Sequence, residues 1–331
     1  MIMLVSIIIP SYNVEEYVAE CLESAIAQTY RPIEIIAVDN NSTDNTLAIL
    51  RDYERRYPDL ITVLEEKKQG APAARNKGIS IAKGEWLQFL DADDLLLPEK
   101  LTNQICLLQN NSECCMVIGA YWFKQLSGET NPVKIDNVTD PFKLIATCRL
   151  GYTCSNLFRS EEVKMIGGWD QDMKGEQDTD LIFRILTIKN AGDILYDKNA
   201  MTIYRMRKNG QITSNCISIN KCGLYLRIRM FEYFRENMPE YFLVSKRYYQ
   251  DIIYHYISRY AIYDRFSAKK FLNNSYLVDY QPRYRKGIIS IQNVLGYYLI
   301  GLENYFILRN FIKGLSKSLS FFNPNCNKKL T

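Results

Sequence analysis

Glu85-Trp86-Leu87-Gln88-Phe89-Leu90-Asp91-Ala92-Asp93-Asp94 is an apolar run that ends on three carboxylates within four residues. Ionised Asp is costly to bury and is depleted in strands. The run therefore reads as a core strand whose carboxylates emerge at the sheet edge, facing water and a cation. Hard oxygen ligands at alternate positions, Asp91 and Asp93, suit Mg²⁺ or Mn²⁺. These ions take one or two protein carboxylates and complete their shells with substrate phosphates, so the run points at a diphosphate-bearing substrate. The same letters also fit the acidic first turn of a helix starting at Leu95-Leu96-Leu97-Pro98.

Upstream, apolar runs at residues 4–9, 33–38 and 60–64 alternate with helical spacings at 14–28, 44–56 and 71–82. Ser42 or Thr43 is the expected cap of the second helix, and Gly84 lies just past the third. Strands that are apolar throughout and separated by helices indicate a mainly parallel sheet covered on both faces, hence an α/β fold. In such sheets ligands bind off the carboxyl ends of the strands. The polar clusters fall there: Pro10-Ser11-Tyr12-Asn13, then Asp39-Asn40-Asn41-Ser42-Thr43-Asp44, then the aspartates. Short strands at 114–121, 153–158 and 193–204 complete the same domain. The expected organisation is a domain over 1–215 and a helical region over 216–331.

Composition sets bounds on chemistry. The 331 residues are 47% hydrophobic, enough for a full core. Nine cysteines at irregular spacing, with no Cys-x-x-Cys, make neither a disulfide framework nor a zinc site, and fit a reducing, cytoplasmic compartment. The single histidine, His255, leaves carboxylates as the expected general bases. The apolar N-terminus lacks the basic start of a signal peptide and reads as a buried strand. Charge is uneven: residues 1–199 hold 20 Lys+Arg against 30 Asp+Glu, whereas 200–331 hold 21 against 7 and 16 of the 24 tyrosines. Residues 287–302 are apolar but contain Ser290, Gln292 and Asn293, short of a membrane span.

The motifs resemble those of the inverting glycosyltransferases of family 2, with the GT-A fold, over roughly residues 4–210. They are Val5-Ser6-Ile7-Ile8-Ile9-Pro10-Ser11-Tyr12-Asn13, Val38-Asp39-Asn40-Asn41-Ser42-Thr43-Asp44, Gly70-Ala71-Pro72-Ala73-Ala74-Arg75-Asn76-Lys77-Gly78, Leu90-Asp91-Ala92-Asp93-Asp94, Gly167-Gly168-Trp169-Asp170 and Gln177-Asp178-Thr179-Asp180-Leu181. The resemblance implies transfer of a hexose from a nucleotide-sugar donor, UDP-sugars first, to a hydroxyl of a saccharide or lipid-linked acceptor in cell-surface polysaccharide synthesis. It places Pro10 and Tyr12 at the nucleotide base, Asp39 and Asn40 at base and ribose, Arg75 near the diphosphate, Asp91 on ribose and Asp93 on the metal. Asn40 and Asn41 stand where the family usually has Asp and Gly; Gln177 stands where it usually has Glu. Asp178 is the implied base, because the attacking hydroxyl must lose a proton. Trp169 is a candidate acceptor platform or equally a core residue, and Arg207 or Lys208 is a candidate cover for the phosphates or part of a solvated loop.

A catalytically silent nucleotide-sugar-binding protein is the alternative, motivated by Asn40 and Gln177. A nucleotidyltransferase or dehydrogenase is disfavoured, since no Gly-rich loop follows the first strand. The basic, Tyr-rich tail carries no nucleic-acid motif. It fits peripheral binding to an anionic membrane, on the inner face of the cell membrane, or packing as a helical domain or against a second copy of the chain.

Overall fold

In the computed structural model the chain is described over residues 3–135, 140–189, 194–207, 216–261, 263–272, 275–277 and 280–283. It forms two compact units, Met1–Ser214 and Asn215–Thr331. The first runs β1 (Val5–Ser11), α1 (Val18–Ile26), β2 (Ile33–Asp39), α2 (Thr46–Arg56), β3 (Ile61–Glu65), α3 (Ala71–Ile81), β4 (Trp86–Phe89), β5 (Leu95–Leu96), α4 (Lys100–Leu108), β6 (Met116–Gly119), β7 (Tyr121–Lys124) and β8 (Thr130–Val133). It continues with α5 (Pro141–Ala146), β9 (Leu157–Arg159), α6 (Ser160–Met165), α7 (Gln177–Ile188), β10 (Ile194–Asp197) and β11 (Thr202–Arg205).

A seven-stranded sheet has the order β10-β6-β9-β4-β1-β2-β3, and a four-stranded sheet the order β5-β11-β7-β8. The first is parallel except for β9, which pairs antiparallel with β4 and β6. Its centre reads as one apolar run because both faces are covered: Val5, Ile7, Ile8 and Ile9 are fully buried. Each of these side chains contributes about 1.5–3 kcal/mol by leaving water. Helix α3 lies close on β1, since a Cβ on Gly78 would sit 2.5 Å from Ile8 Cγ2. That close approach brings the start of α3 over the strand ends. Beneath them, the fully buried Lys100 donates to Gln88 Oε1, and burial lowers its pKa to about 7.

Several local expectations change. The carboxylates do not open a helix: Leu95–Leu96 pairs antiparallel with β11, and α4 starts only at Lys100. The loop is thus held between two sheets. Helix α1 starts at Val18 rather than 14, because residues 14–17 turn around the Val14 carbonyl. Neither Ser42 nor Thr43 caps α2. Ser42 Oγ accepts from Asn13 N (3.2 Å) and Thr43 N donates to Asn13 Oδ1 (2.8 Å), tying two strand-end loops together. Asp44 Oδ1 instead accepts from Thr46 N at 2.9 Å. Gly84 is no helix cap; a Cβ there would lie 2.6 Å from Ser6 N on β1.

The second unit contains α8 (Cys216–Asn237), α9 (Pro239–Tyr260) and α10 (Arg265–Leu272). Many of its tyrosines are core residues: Tyr249, Tyr254 and Tyr260 are buried, and Phe234 packs against Tyr241 and Tyr249 with ring centroids 5.0 and 4.9 Å apart. Arg227 is fully buried over the Tyr256 ring at 4.5 Å. Among the described residues no helix is long and apolar enough to cross a membrane. Residues 287–302 lie outside the described residues.

Candidate functional site

The carboxyl ends of β1 and β4, the loop after β2, the start of α3 and the end of β11 line one cleft of about 390 Å³. Pro10 and Ser11 border it where β1 ends, and Tyr12, 47% exposed, presents a ring free for stacking. Asp39 lies opposite Ser11 in the parallel register. Its Oδ2 accepts from Ser42 N at 3.1 Å, while its Oδ1 is buried with no hydrogen-bond partner. A buried acceptor left unpaired costs about 1–3 kcal/mol, so this oxygen suits an incoming N–H.

Asn40 borders the cleft, but its carboxamide is committed elsewhere. It donates to the carbonyls of Glu66 (2.9 Å) and Lys68 (2.8 Å) and accepts from Gly70 N (2.7 Å). Its contacts shape the loop that launches α3, which corrects the expectation that its amide meets the base. Gly70 itself has φ +131°, the conformation that starts the helix at the cleft.

Arg75 is 4% exposed and holds three segments at once. Nη2 donates to Asp91 at 2.6 Å, Nη1 donates to Gln177 Oε1 at 3.1 Å, and the guanidinium stacks over the Trp169 ring at 4.2 Å. Trp169 is only 2% exposed, with one face under Arg75 and an edge-on contact to Phe89 at 5.0 Å. No face remains for a sugar, so Trp169 is a core residue and not an acceptor platform. Asn76 brackets its backbone, donating to the Trp169 carbonyl and accepting from its N–H, both at 2.8 Å. Gly168 has φ +73°, and a Cβ there would meet Asn76 Oδ1 at 2.4 Å. The glycine pair therefore serves this clamp. Asn76 carries no sequence signal beyond its place after Arg75.

The three aspartates separate by environment. Asp94 is fully buried, accepts from Arg205 N (2.8 Å) and from the Cys154 thiol (3.2 Å), and burial pushes its carboxyl well above the usual range. It anchors the end of β11. Asp91 meets Arg75. Asp93 is raised by burial and by Asp91, and its Oδ2 lies 2.7 Å from Arg207 Nε. Arg207 thus reaches the expected metal ligand rather than open space. Among the described residues no group of three or more His, Cys, Asp and Glu is placed to hold a metal ion. An Mg²⁺ or Mn²⁺ held by one carboxylate and a diphosphate needs no such group, and Asp93 at the cleft wall fits that requirement once Arg207 yields.

Asp178 is the second residue of α7. It is half-buried, and its Oδ1 accepts from Thr179 N at 2.9 Å. Burial raises its carboxyl pKa, against that hydrogen bond and the nearby Arg75 charge. Asp180 is fully buried and paired with Arg184 at 2.7 Å. Asp178 sits beside the cleft, one residue from Gln177 on Arg75. Across from it, Tyr152 and Tyr204 line the cleft with ring centroids 4.3 Å apart, and Tyr121 touches both. Burial raises the Tyr121 hydroxyl to about 12, with Asp178 among the charges acting on it. These three tyrosines lie in unrelated sequence segments with no motif; the second sheet sets Tyr121 beside Tyr204, and the turn before β9 adds Tyr152.

Residues 6–159 match the family model for glycosyl transferase family 2. Those residues form a family 2 glycosyl transferase domain. Similar proteins include the minor teichoic acid biosynthesis protein GgaB of Bacillus subtilis, 29% identical over 224 residues, covering 65% of this chain and 24% of GgaB. The poly(ribitol-phosphate) beta-glucosyltransferase of Bacillus spizizenii is 33% identical over 167 residues, covering 49% of this chain and 26% of that protein. The chain spans a quarter to three fifths of the length of the curated relatives it matches. Among solved structures, S. aureus TarS 1-349 in complex with UDP-GlcNAc superposes with a TM-score of 0.62 at 17% identity, covering 98% of this chain and 93% of that one. This likeness supports the GT-A fold, to which the extra C-terminal helices are added.

Proposed function

We propose that the chain transfers a sugar from a nucleoside diphosphate to a hydroxyl of a cell-surface polymer or its lipid-linked precursor, with inversion. The observation that carries this is one cleft with a stacking ring (Tyr12), a helix start at Gly70 and a carboxylate (Asp93), with an unpaired buried acceptor (Asp39 Oδ1) next to its Asn40 wall and a raised carboxyl (Asp178) beside it. The names of GgaB, the poly(ribitol-phosphate) glucosyltransferase and TarS with its UDP-sugar support the same assignment.

Each group then has a task. Tyr12 stacks on the base. Asp39 Oδ1 accepts a ring N–H, which uracil, thymine and guanine offer and cytosine and adenine do not. The start of α3 turns the positive end of its dipole toward the diphosphate. A divalent cation held by Asp93 would supply charge stabilisation at the leaving diphosphate. Asp178 takes the proton of the attacking hydroxyl. Calorimetry with UDP and Mn²⁺ tests the donor half. Wild type binds, Asp93→Ala binds at least about tenfold more weakly, and CDP binds more weakly than UDP. Equal affinity in the variant removes Asp93 from the metal, and tightest binding by CDP removes Asp39 as the base reader.

The second unit is assigned to an anionic membrane surface. Residues 215–331 hold 18 Lys+Arg against 7 Asp+Glu, a net of +11, and on α9 Leu243 and Val244 are 81% and 80% exposed beside Lys246 and Arg247. Each basic residue at an anionic surface contributes about 1 kcal/mol. The full chain should sediment with vesicles containing anionic lipid at low salt and stay in solution at high salt. Sedimentation independent of lipid charge would leave this unit as a packing or self-association element.

A further inference from the structure

A second cavity, of about 230 Å³, adjoins the donor cleft and plays no part in the reaction as derived above. Tyr121, Lys134, Cys148, Arg149 and the glycines Gly119 and Gly151 line it. Its position is informative. Tyr121 is a shared wall, since its ring packs on Tyr152 (5.8 Å) and Tyr204 (6.5 Å), both of which line the donor cleft. On another wall, Cys148 Sγ lies 3.7 Å from Thr179 Oγ1, and Thr179 N binds the Asp178 carboxylate. A molecule in this cavity therefore lies against the segment that carries the proposed base, across the tyrosines from the donor.

Its chemistry is equally specific. Residues 1–199 carry ten more acidic than basic residues, yet the described lining of this cavity has two cations and no carboxylate. The floor is backbone at close approach. A Cβ on Gly119 would lie 2.2 Å from the Ser155 carbonyl oxygen, and one on Gly151, at φ +67°, 2.2 Å from Asn156 Oδ1. Asn156 fixes both sides of the floor, accepting from Gly119 N at 3.1 Å and donating to the Leu150 carbonyl at 3.1 Å. Neutral sugar hydroxyls need no such pair of charges, whereas a phosphate meets an Arg fork and a Lys ammonium well. Val133, Ile135 and the Tyr121 ring supply apolar surface for the carbon chain beside it.

We propose that this cavity is the acceptor's anionic subsite: Lys134 and Arg149 hold a phosphodiester of the acceptor while a neighbouring hydroxyl is presented to Asp178. The proposal rests on the transferase assignment, and two sources share its chemistry, a polyol-phosphate polymer and the diphosphate of a lipid-linked saccharide.

Direct binding to the full chain tests it. The probes are a short ribitol-phosphate oligomer, a disaccharide on a short-chain prenyl diphosphate, and a neutral malto-oligosaccharide. Wild type should bind one of the anionic probes about tenfold or more tighter than the neutral one, with affinity falling as salt rises. The double variant Lys134→Gln/Arg149→Gln should lose that preference and its salt dependence while binding UDP with Mn²⁺ as wild type does. Lys134→Arg, which keeps the charge, should retain it. Whichever anionic probe binds identifies the source. Failure of wild type to bind either anionic probe, or equal binding by the double variant, overturns the proposal. Failure of the transferase assignment appears separately, as loss of UDP binding by wild type.

Discussion

Asp178→Asn should abolish transfer without loosening the fold. The amide keeps the contact to Thr179 N but cannot take a proton, so turnover should fall by about 10²–10⁴ while UDP affinity is unchanged. The raised carboxyl adds a second signature. Its folded value lies above the unfolded one, so the stability it contributes is complete below the ordinary Asp range and is lost as pH rises through the raised value. At neutral pH the charged carboxylate is therefore a cost, and the variant should melt at the same temperature as wild type or higher. The wild-type rate should fall on the acid side with a midpoint above the ordinary Asp value. Near-normal turnover in the variant would move the base to another carboxylate, with Glu176 first in line.

Arg75→Met should have the largest structural effect. It removes the partner of Asp91, the donor to Gln177 and the cation on Trp169 together. Breaking a buried pair by deleting one member costs about 3–5 kcal/mol. Asp91 is 23% exposed and keeps some water, so about 3 kcal/mol is the expected loss in denaturant unfolding. Arg75→Lys keeps the charge but not the fork or the planar stacking, and should fall in between. Trp169 fluorescence should shift in both. A loss below about 0.5 kcal/mol in the Met variant would mean that Arg75 is dispensable to the clamp.

Much of the site was legible because its residues sit where chain-local rules put them. Strand-terminal Pro10, Tyr12, Asp39, Asp91 and Asp93 come to one end of the sheet whatever the details of packing, since a parallel sheet points all its carboxyl ends the same way. The errors fall where a side chain is claimed by a partner distant in sequence. Asn40 reads as a base contact until the 66–70 loop takes its amide. Trp169, after two glycines, reads equally as an acceptor platform or as core until Arg75, 94 positions earlier, covers its face.

The order of residues along the chain is enough to set the alternation of apolar strands and helices, the end of the sheet that bears the candidate site, and the carboxylates available to it. These follow from periodicity and from the cost of burying charge, which act locally. Tertiary packing sets how each carboxylate is held. Asp94 is locked under β11, Asp91 is held by Arg75, Asp93 faces Arg207, and Asp178 is left half-buried with a raised proton affinity. It also decided that Tyr121, Tyr152 and Tyr204 make one wall between two cavities. Desolvation and charge pairing depend on neighbours brought together across long stretches of chain, and no local pattern encodes them.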